Sequence, residues 1–266
     1  MSKPIDVLTV GEPLVLFAAR QAGALDEVRV FDRMVAGAEL NVATGLARLG
    51  LRTAYVSNVG DGSFGRFLIK TMAAEGIDHS QVRSLTSNPT GFMLKAQSVD
   101  GTDPAIEYFR KNSSASQLSV KDLDLGFCAT ARHIHLSGVF AGVSESARQV
   151  MFEMARRARA QGATLSFDTN LRPGMWPSKG EMIDCINRLA LMADWVLPGL
   201  GEGRLLTGHD EPEAIGEWYL SRGVRAVVIK LGEDGAYCAE RGKSSHVPGR
   251  RVEKVVDTVG AGDGFA

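Results

Sequence analysis

The sequence predicts an α/β fold with a mainly parallel sheet and a second, smaller β-sheet standing off the main body. Two patterns predict it. Through most of the chain, short apolar runs alternate with amphipathic stretches of helical spacing, as the units of a parallel sheet with right-handed crossovers do. The alternation breaks around residues 14–35 and 90–109, where β-rich runs follow one another with no helix between them. A third feature bears on function: a glycine-rich turn from Asp257 to Gly264 encloses one acid, Asp263.

Composition narrows the class. A chain of 266 residues suits one large α/β domain, or a domain with a small appendage. Its formal net charge of −1 argues against a nucleic-acid surface or a polybasic membrane surface. No apolar run approaches the ~20 residues that a membrane helix needs. Met1 to Asp6 passes into a strand pattern without the basic–apolar–small order of a signal peptide. Cys128, Cys185 and Cys238 are odd in number, far apart and without metal spacing, so ordinary buried or semi-buried thiols in a reducing, cytoplasmic setting are expected. His133 and His135 face one side of a strand-like run, but no third metal ligand is evident.

In chain order, Ile5 to Val10 is a short apolar run ended by Gly11, a first buried strand. Leu14 to Ala18 and Val28 to Val35 are β-like, with a turn at Gly23 to Glu27. At Ala36-Gly37-Ala38-Glu39-Leu40-Asn41 the chain turns into a helix carrying Val42, Leu46 and Leu49, with Gly50 placed to end it. Two readings stand there: a turn that brings backbone and the Asn41 amide against a polyhydroxyl ligand, or a plain strand-to-helix turn. Thr53 to Val59 is a strand, Phe64 to Glu75 an amphipathic helix closed by Gly76, and Ile77 to Val82 leads away.

Thr90 to Val99 and Ala105 to Phe109 then form a hairpin around Asp100-Gly101. It ends in Glu107-Tyr108-Phe109-Arg110-Lys111. An aromatic beside an arginine suits a carbohydrate with an anionic end, since the guanidinium forks onto a carboxylate. A solvated edge strand with a charged tip explains the same residues.

The main body resumes with a strand at Ala131 to Leu136, a helix at Glu145 to Ala160 and a strand at Thr164 to Phe167. At the carboxyl end of that last strand stand Asp168, Asn170 and Arg172, where ligands of open parallel sheets gather. Trp176 is expected to pack down the loop that follows. Met182 to Met192 is helical, Trp195 to Leu197 a strand, and Pro198-Gly199-Leu200-Gly201-Glu202 opens a short helix on which local grounds favour Glu202 as a cap. A helix at Pro212 to Arg222 and a strand at Val224 to Ile229 lead to the turn Lys230-Leu231-Gly232-Glu233-Asp234-Gly235. Ala236 to Ala239, Ser244 to Val247 and Val252 to Val256 are further short strands.

The closing turn has its own chemistry. Its glycines let backbone N–H groups crowd round one point, which suits a phosphate or a transferring phosphoryl group. An acid is out of place beside an anion unless it takes a proton from the attacking hydroxyl. The competing explanation is a glycine-rich loop whose aspartate caps a helix.

Taken together, these motifs resemble the ribokinase-like (PfkB) family of carbohydrate kinases. The signals are Gly37 with Asn41, Lys230-Leu231-Gly232 with Gly235, and above all Asp257-Thr258-Val259-Gly260-Ala261-Gly262-Asp263. Within it the chain looks most like the 2-keto-3-deoxygluconate kinases, through Gly11-Glu12-Pro13-Leu14-Val15, Tyr108-Phe109-Arg110-Lys111 with Ser113 to Ser116, and Phe167 to Arg172 with Trp176.

The resemblance implies a three-layer α/β/α sandwich with a β-sheet lid. Its core would be residues 1–11, 37–89 and 113–266, and its lid 12–36 and 90–112. It implies phosphorylation of a sugar acid by ATP. Gly37, Asn41, Tyr108, Arg110, Asp168, Asn170 and Arg172 would hold the sugar, the arginines taking its carboxylate. Asp263 would be the base, and Gly260, Ala261 and Gly262 the anion hole. Lys230, Gly232 and Gly235 would serve the nucleotide, and Glu202 would steer Mg²⁺, directly or through water. A requirement for a monovalent cation is left open. Expected partners are the sugar acid and ATP, with no nucleic acid and no membrane, and a homo-oligomer through the lid is compatible with its exposed face. A neutral-sugar kinase of fructokinase or ribokinase type is the alternative, as is a non-catalytic sugar-binding protein.

Two departures from the family pattern stand out. Gly199 takes the place of a usual asparagine, and the sequence stops at Ala266, where family members continue. The expectation is a shortened version of a longer protein.

Overall fold

The structure, a computed structural model, describes residues 5–97, 103–250, 252, 253, 255 and 257–266. The chain divides into two compact units, residues 9–118 with 252–265, and residues 1–8 with 119–251 and 266. Among the described residues the strands form a nine-stranded, mostly parallel sheet and a separate four-stranded sheet. Strand β1 (Ile5–Val10) is shared between the units, which divide it after Leu8.

In the unit of residues 9–118 and 252–265, the elements are β2 (Leu14–Ala19), β3 (Phe31–Ala36), α1 (Ala38–Arg48), β4 (Thr53–Gly60), α2 (Ser63–Ala74), β5 (Asp78–Leu85), β6 (Phe92–Lys95) and β7 (Ile106–Phe109). A closing helix, Ala261–Phe265, ends it. In the large sheet the order here is β1-β4-β5, and β4 and β5 run parallel. Every residue of β4 is buried, as expected of a strand covered on both faces. Leu40 and Ala43 of α1 pack with Tyr55, Met72 and Ile77, so α1 and α2 share one core with β4.

The small sheet has the order β3-β2-β6-β7. Its outer pairs are antiparallel and its central pair, β2 with β6, is parallel. Leu14, Leu16, Ala36 and Met93 form its own core. Phe17, Phe64 and Phe92 pack as a tilted trio that rests the sheet on α2.

In the unit containing residues 119–250, short helices α3 (Leu125–Cys128) and α4 (Gly138–Ala141) flank β8 (Ala131–Ser137). Then come α5 (Glu145–Gln161), β9 (Thr164–Asp168), α6 (Lys179–Ala190), β10 (Trp195–Val196), α7 (Leu200–Thr207), α8 (Pro212–Leu220), β11 (Ala226–Lys230), β12 (Ala236–Glu240) and β13 (Lys243–Val247). The order is β13-β12-β11-β10-β9-β8-β1, parallel from β8 to β11 and antiparallel beyond. Local chemistry sets the helix ends. Ser144 caps α5 by accepting from the Ala147 N–H, and Ser178 caps α6 by accepting from that of Glu181. Gly162 closes α5 at φ 70°, a left-handed value that suits glycine.

Other sequence expectations need correction. The stretch from Ile77 is not a lead-away but strand β5, half-exposed and polar, so its hydrophobic period is faint. The strand expected from Val28 starts only at Phe31. Val252, Glu253 and Val255 lie in no strand; they are exposed, and β-branching alone does not make a strand without a partner to pair. Residues 254 and 256, and the hairpin tip at 98–102, lie outside the described residues. Cys128 and Cys185 are buried and Cys238 is half-buried, as expected, and burial pushes the Cys128 thiol up to about 11.

Candidate active site

In the unit of residues 9–118 and 252–265, the glycine–asparagine turn and the closing turn meet. Gly37 precedes α1 at φ 129°, and a Cβ there would stand 2.7 Å from the Glu12 carbonyl oxygen. Glycine is therefore required on both counts. One turn on, the Asn41 side-chain amide donates to Asp263 Oδ2 at 2.8 Å, and α1 packs against the closing helix. Gly260, at φ 81°, lets the chain turn into that helix, and the Gly264 N–H closes its first turn onto the Gly260 carbonyl at 2.8 Å. The Ala261 N–H donates to the Thr258 carbonyl at 3.2 Å. The turn is tied to the small sheet: Lys95 of β6 pairs with Asp257, and Thr258 Oγ1 donates to Asp103 at 2.5 Å. Hydrogen bonding to Lys95 holds the Asp257 carboxyl below its ordinary range against the opposing effect of burial.

At the foot of β7, Tyr108 is about half exposed, with the Arg110 guanidinium 5.7 Å from its ring centroid. Arg110 is paired with Glu12, its Nε donating to Oε2 at 2.7 Å and its Nη2 joining the same oxygen. Ser113 Oγ donates to the other carboxylate oxygen at 2.5 Å. Glu12 is buried, and sequence reasoning did not identify it as the partner of Arg110. The signal was there: an acid directly after a buried strand must find a cation or a proton. Glu39, also missed, is the second such acid. It lies buried in the first turn of α1, and its Oε1 has no hydrogen-bond partner among the described residues. Burial first, with the Asp263 carboxylate adding to it, raises its carboxyl well above the usual range.

In the other unit, β9 ends in the loop that carries Asp168, Asn170 and Arg172. Asp168 is buried and accepts from Lys230 Nζ at 2.7 Å, so a proposed sugar contact and a proposed nucleotide contact hold each other. Asn170 (φ 31°) and Arg172 (φ 49°) both have left-handed backbones, uncommon for residues with side chains. Asn170 is buried and Arg172 exposed. Trp176 packs the loop down, as expected, donating to the Leu171 carbonyl at 3.1 Å.

Glu202 braces this loop from the first turn of α7. Its Oε2 accepts from Thr169 Oγ1 (2.6 Å) and from the Gly199 N–H (2.9 Å), and its Oε1 accepts from the Leu171 N–H (2.9 Å). The cap favoured on local grounds is present, with the loop contacts added to it. Gly232 and Gly235 turn the chain from β11 to β12 at φ 65° and 95°. The Leu231 N–H donates to the Gly235 carbonyl at 2.8 Å. Among the described residues no cluster of His, Cys, Asp and Glu could by itself hold a metal ion. His133 and His135 instead share Ser166 Oγ, each at 2.8 Å, within a hydrogen-bonded ladder across β8 and β9.

The sequence profile of the pfkB family carbohydrate kinases matches residues 5–266. A 2-dehydro-3-deoxygluconokinase of Bacillus subtilis (strain 168) is 44% identical over 263 residues, 98% of this chain and 81% of that protein. Among solved structures, a PfkB protein from Polaromonas sp. JS666 superposes with a TM-score of 0.92 at 44% identity, covering 98% of this chain and 86% of that one. A putative ribokinase II from E. coli in complex with ATP and Mg²⁺ gives 0.90 at 29% identity, covering 98% and 83%.

Proposed function

Because this chain belongs to the pfkB family of carbohydrate kinases, we propose that it transfers the γ-phosphoryl group of ATP to the terminal hydroxyl of 2-dehydro-3-deoxygluconate (2-keto-3-deoxygluconate) or a close sugar acid. The observation that carries the reading is the Asn41–Asp263 hydrogen bond of 2.8 Å. It holds an acid at the mouth of a glycine turn, where a carboxylate is placed to act as a base. The 44% identity to a 2-dehydro-3-deoxygluconokinase favours a sugar acid over the neutral sugar of a fructokinase.

Asp263 takes the proton of the attacking hydroxyl as the new O–P bond forms and the bond from the γ-phosphorus to the bridging oxygen breaks, releasing ADP. The amides of Gly260, Ala261 and Gly262 would receive the negative charge of the transferring group, that of Ala261 giving up the Thr258 carbonyl to do so. Arg110, Arg172 and Tyr108 bind the acid end of the substrate, with Gly37, Asn41, Asp168 and Asn170 along the sugar. The segments 12–36 and 90–112 act as a lid that excludes water. Lys230, Gly232 and Gly235 serve the nucleotide. Mg²⁺ arriving with ATP would supply charge neutralisation at the phosphates. Since the oxygens of Glu202 already accept from Thr169, Leu171 and Gly199, any share it took in holding the ion would be through water.

The test is a substrate panel with two variants. The parent phosphorylates 2-dehydro-3-deoxygluconate in preference to fructose and ribose. Asp263→Asn lowers kcat by about 10²–10⁴ or more with KM little changed. Arg172→Ala raises KM. Turnover of fructose or ribose alone, or substantial activity in Asp263→Asn, sinks the reading.

A further inference from the structure

We propose that Glu12 is a positioning residue for substrate recognition: its buried carboxylate fixes the guanidinium of Arg110 in the orientation that receives the carboxylate of the sugar acid. The proposal rests on the reading of Arg110 as a sugar-acid contact. It adds a residue that does not itself touch the substrate.

The geometry is specific. Arg110 follows β7 directly, at the end of the strand that closes the small sheet. An arginine there, on its long flexible stem, would sample many rotamers. Glu12 removes that freedom by taking Nε and Nη2 together on Oε2, which sets the plane of the guanidinium. Its other oxygen takes Ser113 Oγ, three residues on, so one carboxylate holds both ends of the turn that follows β7. That turn is tight, with Asn112 at φ 56° and the Ser113 N–H returning to the Arg110 carbonyl at 3.2 Å.

The surroundings are cut to fit Glu12. A Cβ on Gly91 would stand 2.9 Å from Glu12 Oε1, and one on Gly37 would stand 2.7 Å from its carbonyl oxygen. The glycine turn that serves the sugar and the acid that orients the arginine thus share one residue. A surface ion pair would contribute little, but this pair is withdrawn from water, with side-chain exposures of 15% for Arg110 and 1% for Glu12. The charge of Arg110 is offset before any substrate arrives, so it contributes direction more than attraction.

A double-mutant cycle on steady-state kinetics with 2-dehydro-3-deoxygluconate tests this, using the full chain as parent, Glu12→Gln, Arg110→Gln and the double variant. Glu12→Gln is expected to raise KM about tenfold or more while kcat stays within a few-fold. In the Arg110→Gln background the same change is expected to add nothing, because the group it positions is gone. A purely structural role would give equal factors in both backgrounds, and that result, or an unchanged KM in folded Glu12→Gln, overturns the proposal. Should Glu12→Gln fail to fold, Ser113→Ala decides, since it frees one carboxylate oxygen and keeps the charge pair. A several-fold rise in KM is expected, and an unchanged KM overturns the proposal. A parent that phosphorylates no sugar acid marks failure of the substrate reading itself, whereas an active parent with additive variants marks failure of the role of Glu12 alone.

Discussion

Replacing Glu202 by alanine separates a structural carboxylate from a metal-steering one, because only the first role operates in the absence of Mg²⁺. The carboxylate accepts from Thr169 Oγ1, the Leu171 N–H and the Gly199 N–H at 2.6–2.9 Å. Hydrogen bonds to an ionised acceptor contribute ~1.5–3 kcal/mol each. Glu202 is half-buried, so water partly replaces what is lost and the low end applies. Three bonds at that low end sum to about 4.5 kcal/mol, of which about 3 kcal/mol is expected to remain once water re-solvates the freed donors. Part of it is the restraint on a strained loop, since Leu171 lies between Asn170 and Arg172, whose left-handed backbones each cost of order 1–3 kcal/mol unless the surroundings enforce them. Urea unfolding in EDTA without nucleotide, followed by circular dichroism, is the assay. Alanine should lower stability by about 3 kcal/mol and Tm by roughly 6–12 °C. Glu202→Gln, which keeps one acceptor oxygen, should lose about half as much. Stability unchanged within about 0.5 kcal/mol under those conditions, with activity lost only when Mg²⁺ is present, would refute the reasoning.

Two further outcomes are expected. Burial holds His133 down to about 4 and His135 to about 3, the latter also through His133 and Lys230. Between those values and the ordinary ~6.5 the unfolded chain binds more protons, so stability rises with pH across that window and falls on acidification. At pH 5 the loss relative to pH 7 is up to about 2 kcal/mol per imidazole. The double variant His133→Gln/His135→Gln should have a flatter stability–pH curve than the parent, and an identical slope would count against the assignment. Gly235→Ala should destabilise by about 3 kcal/mol, since its Cβ would stand 2.1 Å from the Val247 carbonyl oxygen at φ 95°. Gly232→Ala, at φ 65° with open space around the new methyl, should cost about 1 kcal/mol, and equal urea midpoints for the two would show that the packing argument is wrong.

Local patterns in the sequence carried most of the fold. The alternation of apolar runs located β4 and β9 because both are buried strands bounded by clear turns. The two β-rich interruptions located the small sheet because no helix could be threaded through them. Strand β5 escaped because its residues are mostly polar or half-exposed, which removes the hydrophobic period that marks a strand. The glycines at 37 and 260 were legible as turn residues, and the structure gives each a left-handed φ, but which turn faces which was not. The Asn41–Asp263 contact spans 222 residues, and no local rule reaches that far.

The same limit divides buried acids into two kinds that look alike in sequence. Glu12, Asp168 and Glu39 each follow or end a strand or open a helix in an apolar setting, and each is almost wholly buried. An ionised carboxylate cannot stay there alone, so each must find a cation or keep its proton. Glu12 finds Arg110, 98 positions away, and Asp168 finds Lys230, 62 away. Arg110 had been singled out as a ligand contact on local grounds and Lys230 through the family resemblance, and the structure shows each already held by an internal anion. Such a cation presents a fixed direction, and it adds little net charge. Glu39 has no ion pair among the described residues and its Oε1 has no hydrogen-bond partner, and burial, with the Asp263 carboxylate adding to it, raises its carboxyl well above the ordinary range. That shift widens the pH range over which a second negative charge stays away from Asp263, to which Glu39 is electrostatically linked. While Glu39 holds its proton, no second carboxylate charge opposes the ionised form of Asp263, which is the form ready to accept a proton from the attacking hydroxyl.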